Sequence, residues 1–125
     1  MLKATPKLLI VDDEKDICEL EESIFRKHNF TTYSAKNASQ AVKLAKKVLP
    51  DVAIIDIHLG KESGIDILKE LLRISPQCKC IMVTWDKEGA LAAKKIGAAD
   101  FVIKPAPIKD LLNTINRVVK VSAKK

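Results

Sequence analysis

Five side chains in the sequence could perform phosphoryl-transfer chemistry if the fold brings them together. They are three acids, one hydroxyl and one ammonium: Asp12, Asp13, Asp56, Thr84 and Lys104. Carboxylates about 4 Å apart repel by about 4 kcal/mol per pair at an effective dielectric constant of 20, so such a cluster needs a cation. Oxygen ligands suit a hard ion, and Mg²⁺ binds through a few carboxylates, water and a phosphate. We therefore predict that Asp56 accepts a phosphoryl group as an acyl phosphate, while Mg²⁺ and Lys104 offset its charge and Thr84 donates a hydrogen bond.

The predicted strands explain how residues so distant in sequence could meet. Four of these five residues come directly after apolar runs, which lie at residues 7–11, 52–55, 80–83 and 101–103. Runs of this kind are typical of strands buried on both faces of a parallel sheet. In open α/β sheets the ligand lies outside the carboxyl ends of the strands, which is where these side chains are expected. A weaker β-prone run at 31–35 is predicted to lie nearer an edge.

Helical periodicity predicts a helix after each strand. The first should span about 14–28, the second should start after an Asn37 cap and stop at Pro50, and the others should cover about 65–75, 87–96 and 107 onward. The inward-facing residues of the first two helices are predicted to be Ile17, Leu20, Ile24, Phe25, Ala41, Ala45, Val48 and Leu49. Five strand-then-helix units predict an α/β fold with helices on both faces of a parallel sheet. The turn after the first strand lacks the glycines of dinucleotide-binding and P-loop sites.

Size and composition indicate one globular domain. The chain has 125 residues, of which 47% are hydrophobic and 30% charged, and we expect a single domain over 1–125 with flexible ends at 1–6 and 122–125. No apolar stretch is long enough to span a membrane and no signal peptide is evident, so the cytoplasm is the expected location. The net charge is +6, but the lysines are dispersed at helical spacings, which argues against direct nucleic-acid binding by this domain.

The three cysteines, Cys18, Cys78 and Cys80, lack the spacing of a zinc site. They are expected to be buried, inert thiols. Cys78 and Cys80 are expected to point to opposite faces of the fourth strand.

Several motifs together resemble the receiver domain of two-component response regulators, over nearly the whole chain. They are residues 9–14, residues 52–56 followed by Gly64, residues 82–84 and residues 97–105. The resemblance implies a flavodoxin-like sheet with strand order 2-1-3-4-5. It also implies that Asp56 is phosphorylated by a histidine kinase or a histidine phosphotransfer protein. Mg²⁺ would be bound by Asp13, Asp56 and the main-chain carbonyl of His58, with Asp12 acting through water, while Thr84 and Lys104 would bind the phosphoryl oxygens.

The resemblance further implies a switch in place of catalysis on an external substrate. In the family, Thr84 would move toward the phosphate and Phe101 would turn inward, remodelling the face made by the fourth helix, the fifth strand and the fifth helix. A downstream output domain or protein would bind that face, and phosphorylation-dependent homodimers are an option. The only reactions catalysed would be the domain's own phosphoryl transfer and autodephosphorylation. The Lys104-Pro105 bond is often cis in the family, and the sequence leaves its isomer open.

Two alternatives to a phosphoacceptor switch stay open. Trp85 follows Thr84 where the family usually has Ala or Gly, and its ring either restricts access to Asp56 or lies over neighbouring surface. The chain could therefore be a binding module that works without phosphorylation. An Asp-nucleophile phosphatase is a second alternative, but such an enzyme usually needs an acid two residues past the nucleophile, where this chain has His58.

Overall fold

A five-stranded parallel sheet forms the centre of the molecule. The structure is a computed structural model that describes the backbone of residues 5–123 and the side chains of residues 5–119. The strands are β1 (Lys7–Val11), β2 (Thr31–Ala35), β3 (Val52–Ile55), β4 (Lys79–Thr84) and β5 (Asp100–Ile103). Their order in the sheet is β2-β1-β3-β4-β5, which confirms the predicted order. Val11 pairs with Ile55, so the residues that follow β1 and β3 leave the sheet side by side.

Five helices cover the two faces of the sheet, as predicted. They are α1 (Lys15–Lys27), α2 (Ala38–Val48), α3 (Gly64–Ile74), α4 (Lys87–Ile96) and α5 (Ile108–Ala123). Residues of α2, α3 and α4 pack with one core cluster, which includes Leu71. Residues of α1 and α5, among them Phe25 and Ile115, pack with the other. A hairpin of two short strands, His58–Leu59 and Glu62–Ser63, follows β3 where the sequence predicted only a loop.

Two leucines predicted to face the core are exposed. Leu20 is 55% exposed because the buried face of α1 carries Cys18 and Phe25, and Leu20 lies about 200° around the helix from Cys18. Leu49 is 56% exposed. It follows the last residue of α2 and adopts a left-handed conformation with φ 49°, so it no longer continues the inward stripe.

The prediction that Cys78 and Cys80 face opposite sides of the sheet is wrong. Both belong to the same core cluster, because residues two apart on extended backbone share a face. The neighbouring Cys80 side chain, together with burial, raises the pKa of the Cys78 thiol. All three cysteines are buried, which confirms that part of the prediction.

Within residues 5–123, no helix has the length and apolarity that crossing a membrane requires. The predicted flexible ends fall partly on residues 1–4 and 124–125, which lie outside the described residues, so that prediction stays a prediction.

Candidate functional site

The carboxyl ends of the strands bring Asp12, Asp56 and Lys104 together. The Asp56 N–H donates to the carbonyl oxygen of Val11 at 3.1 Å, and the Lys104 N–H donates to that of Thr84 at 2.9 Å. These bonds continue the sheet beyond its last regular residues and hold the site residues in register. The Lys104 ammonium then donates from Nζ to Oδ2 of Asp56 at 3.1 Å. The side chain of Asp56 is 13% exposed and that of Lys104 is 38% exposed, so the carboxylate is largely sheltered from water while the ammonium side chain is partly open to it.

Asp12 is a buried acid in a crowded negative environment. It is 6% exposed, and its Oδ1 accepts from the Glu14 N–H at 2.9 Å. Burial raises the pKa of Asp12, and the charges of Asp56 and Asp13 raise it further, against the Glu14 N–H and Lys104. A bound cation would relieve this crowding, so the donor set at this edge suits a dication.

The ammonium of Lys104 is stabilised by the same acids. Burial acts to lower its pKa, but the hydrogen bond and charge of Asp56, together with the charges of Asp12 and Glu21, outweigh burial and leave the pKa raised. Lys104 is therefore positively charged at neutral pH. Such a charge can offset the charge on a phosphoryl group held at Asp56.

The loop after β3 is anchored against Asp56 at its backbone. The His58 N–H donates to Oδ1 of Asp56 at 3.2 Å, and the Gly64 N–H donates to the carbonyl oxygen of Ile57 at 2.7 Å. A Cβ atom at Gly64 would collide with the carbonyl oxygen of Asp56. The glycine of this motif is thus required by a close approach of two backbone segments.

Asp13 and Thr84 lie at the site but have looser connections to its centre. Asp13 is exposed, and its Oδ2 lies 3.8 Å from where a Cβ atom of Gly60 would be, so the hairpin tip approaches it. Thr84 is fully buried, and its hydroxyl oxygen accepts from the Asp86 N–H at 3.1 Å.

The carboxylates alone do not make a preformed metal cage. Among the described side chains, no three histidine, cysteine or acidic residues are grouped closely enough to hold an ion by themselves. A carbonyl oxygen, water or phosphate would have to complete the coordination. This matches Mg²⁺, which keeps several waters and is usually held by only one or two carboxylates.

Glu21 is a further acid at the site that sequence reasoning missed. With Asp12 and Asp56 it lines a cavity of about 10 Å³ beneath the strand ends. Burial, and then the charge of Asp12, raises the pKa of Glu21 to about 7. Its spacing of three residues from Cys18 and four from Phe25 was the available signal, because those two residues mark the buried face of α1.

Trp85 lies over neighbouring surface, which favours the second of its two interpretations. Its ring stacks on the imidazole of His58, with centroids 4.9 Å apart and planes at 13°, and it is 67% exposed.

Elsewhere around the site, Phe101 is half-buried against a core cluster. The Lys104-Pro105 peptide bond is cis.

Comparison with known proteins gives this arrangement a family. The sequence model of the response regulator receiver domain family matches residues 8–116. Chemotaxis protein CheY of Thermotoga maritima is 32% identical over 117 residues, which cover 91% of this chain and 98% of that protein. Regulatory protein AtoC of Escherichia coli is 31% identical over 126 residues, which cover 99% of this chain but only 27% of that protein. The structure of a CheY-like receiver domain protein from Methanospirillum hungatei has a TM-score of 0.90 at 25% identity, covering 96% of this chain and 98% of that one. From the family match and these similarities it follows that the chain belongs to the response regulator receiver domains.

Proposed function

We propose that Asp56 accepts a phosphoryl group, in a reaction that depends on Mg²⁺, from a histidine kinase or a histidine phosphotransfer protein. The observation that carries this proposal is the ion pair between Lys104 Nζ and Asp56 Oδ2, 3.1 Å apart at the carboxyl ends of the central strands. In the transfer, a carboxylate oxygen of Asp56 forms a bond to phosphorus while the bond from phosphorus to the donor's imidazole nitrogen breaks. The imidazole leaves with that electron pair and takes a proton from water.

Each remaining side chain has a part in this reaction. Asp13, Asp56 and the carbonyl oxygen of His58 would hold the metal, and Asp12 would reach it through water. The bound ion supplies positive charge next to the phosphoryl oxygens. Lys104 supplies a second positive charge, and the hydroxyl of Thr84 donates a hydrogen bond to the phosphoryl group.

The phosphorylated domain acts as a signalling switch. The surface formed by α4, β5 and α5 changes shape when Thr84 moves, and an output domain or a separate downstream protein binds it, with homodimers through this surface as an option. Turnover is limited to the domain's own phosphoryl transfer and autodephosphorylation. The chain spans about a quarter of AtoC, so the identity of any output partner is not carried over from that relative. Absence of direct contact with nucleic acid or membrane, and the cytoplasmic location, stay predictions from the sequence.

Intact-mass measurement tests the phosphoacceptor role directly. The protein is incubated with acetyl phosphate, with and without Mg²⁺, beside Asp56→Asn as the matched control. We expect a gain of one phosphoryl group that needs both the metal and Asp56. If wild type stays unmodified, Trp85→Ala tests whether access of the small donor is the obstacle. If that variant is also unmodified and calorimetry detects no Mg²⁺ binding, the proposal fails and a phosphorylation-independent binding module replaces it.

A further inference from the structure

Three side chains beside the site connect the loop after Asp56 to the start of α4. His58 donates from Nε2 to Oδ2 of Asp86 at 3.0 Å. The imidazole of His58 also stacks on Trp85, with ring centroids 4.9 Å apart. We call His58, Trp85 and Asp86 the latch. It lies at the surface, since the side chain of His58 is 48% exposed and that of Asp86 27% exposed.

Asp86 is the residue on which the latch depends, because it makes three hydrogen bonds. Its Oδ1 caps α4 by accepting from the Gly89 N–H at 2.9 Å. Its Oδ2 accepts from His58, and its N–H donates to the hydroxyl oxygen of Thr84 at 3.1 Å. The bonds from Gly89 and His58 hold the pKa of the Asp86 carboxyl below its usual range.

Gly89 leaves the space that this arrangement requires. A Cβ atom there would lie 2.7 Å from Oδ2 of Asp86 and 3.1 Å from Cδ1 of Ile57. Any larger residue would push the carboxylate away from His58. The carboxylate is therefore held between the helix start and the imidazole with little freedom to move.

Resting on the function proposed above, we infer that the latch stabilises the unphosphorylated conformation and sets how readily the domain switches. In this structure the hydroxyl oxygen of Thr84 is held by the Asp86 N–H. For the Thr84 hydroxyl to move to a phosphoryl group on Asp56, the turn at residues 84–86 must move with it. That movement pulls Asp86 away from His58, and it also shifts the first turn of α4, since Asp86 caps this helix.

The latch therefore acts on the equilibrium between the two conformations. A contact present only in the resting conformation lowers the apparent affinity for any ligand that needs the other one. Two exposed aromatic rings and one hydrogen bond are a modest restraint, so the effect is a bias and not a block. His58, Trp85 and Asp86 are thus positioning residues that act on phosphorylation through Thr84.

Binding of a phosphoryl analogue tests this inference. Beryllofluoride with Mg²⁺ is titrated by calorimetry into wild type, His58→Phe, Asp86→Ser and the double variant. Phenylalanine keeps a ring to stack on Trp85 but cannot donate to Asp86, and serine keeps the helix cap but cannot reach His58. We expect each single variant to bind about three- to ten-fold more tightly than wild type, in line with the net value of one hydrogen bond. The double variant should bind no more tightly than either single one, because both changes break the same contact.

A control separates the latch from unrelated effects. His28→Phe removes the other histidine, which is exposed at the C-terminal end of α1, and should leave the affinity for beryllofluoride unchanged. Unchanged or weaker affinity in His58→Phe and Asp86→Ser, or gains that add in the double variant, overturns the latch while leaving the proposed function intact. If wild type itself binds no beryllofluoride, both the proposed function and the latch are refuted.

Discussion

Replacing Glu21 with glutamine should stabilise the protein at pH 8 much more than at pH 5. Burial raises the pKa of Glu21 from 4.5 to about 7, so the folded protein keeps the proton to higher pH than the unfolded chain does. Its ionisation therefore costs folding free energy as the pH rises from the unfolded pKa to the folded one. At roughly 1.4 kcal/mol per pH unit the full cost is about 3 kcal/mol. Since part of the cost is already present at pH 5, about 2 kcal/mol should develop between pH 5 and pH 8.

Urea unfolding in the presence of a chelator measures this difference. The free energy of unfolding is compared for wild type and Glu21→Gln at both pH values, and the chelator prevents a metal from changing the charges of Asp12 and Asp56. Glu19→Gln is the matched control on α1, because Glu19 is exposed and pairs only loosely with Lys15 at 4.0 Å. A gain for Glu21→Gln that is the same at both pH values, or an equal pH dependence in Glu19→Gln, would refute the reasoning.

Three further substitutions test local features of the fold. Gly64→Ala should destabilise the protein by more than about 2 kcal/mol and reduce phosphorylation, because the new methyl group would collide with the Asp56 carbonyl oxygen. Urea unfolding measures the stability and intact mass measures the phosphorylation. Wild-type values in both measurements would contradict the prediction. Asn37→Ala should cost about 1 kcal/mol in urea unfolding, since the Asn37 side chain accepts from the Gln40 N–H at 2.9 Å, while Asn37→Ser should keep most of that stability. Leu49→Gly should raise the free energy of unfolding in urea by about 0.5 kcal/mol, because the left-handed conformation with φ 49° strains leucine and not glycine. A lower free energy of unfolding would show that the leucine side chain stabilises the protein by more than the backbone strain destabilises it.

The elements of the fold were predictable because several independent signals agreed for each one. The run ending at Asp56 is apolar throughout and bounded by Pro50, and in the structure all four residues of β3 are buried. The Asn37 cap was expected from residue type alone and is present. Strand order came only from the family resemblance, since the run lengths and periodicities of parallel strands do not encode which neighbours pair.

The wrong predictions share a physical cause. It is harder to infer from a sequence which face of an element is buried than to infer that the element exists. Leu20 was assigned to the core because it is apolar and lies at helical spacing from Ile17 and Ile24, yet α1 turns Glu21 toward the sheet and Leu20 toward solvent. A buried acid contradicts the hydrophobic pattern, so the only sequence signal for Glu21 was its spacing from Cys18 and Phe25. The bond between Asp86 and His58 was equally beyond sequence reasoning, because it depends on how two loops separated by more than twenty residues meet in space.

The stacking of Trp85 on His58 gives the molecule a built-in optical probe. Trp85 is the only tryptophan in the chain, so the whole indole emission comes from one ring, adjacent in sequence to Thr84. The imidazole of His58 stacks on that ring with centroids 4.9 Å apart, so the surroundings of the indole change when the rings separate. Steady-state and stopped-flow fluorescence of the unlabelled protein can therefore follow movement of the 84–86 turn in real time, with no dye attached.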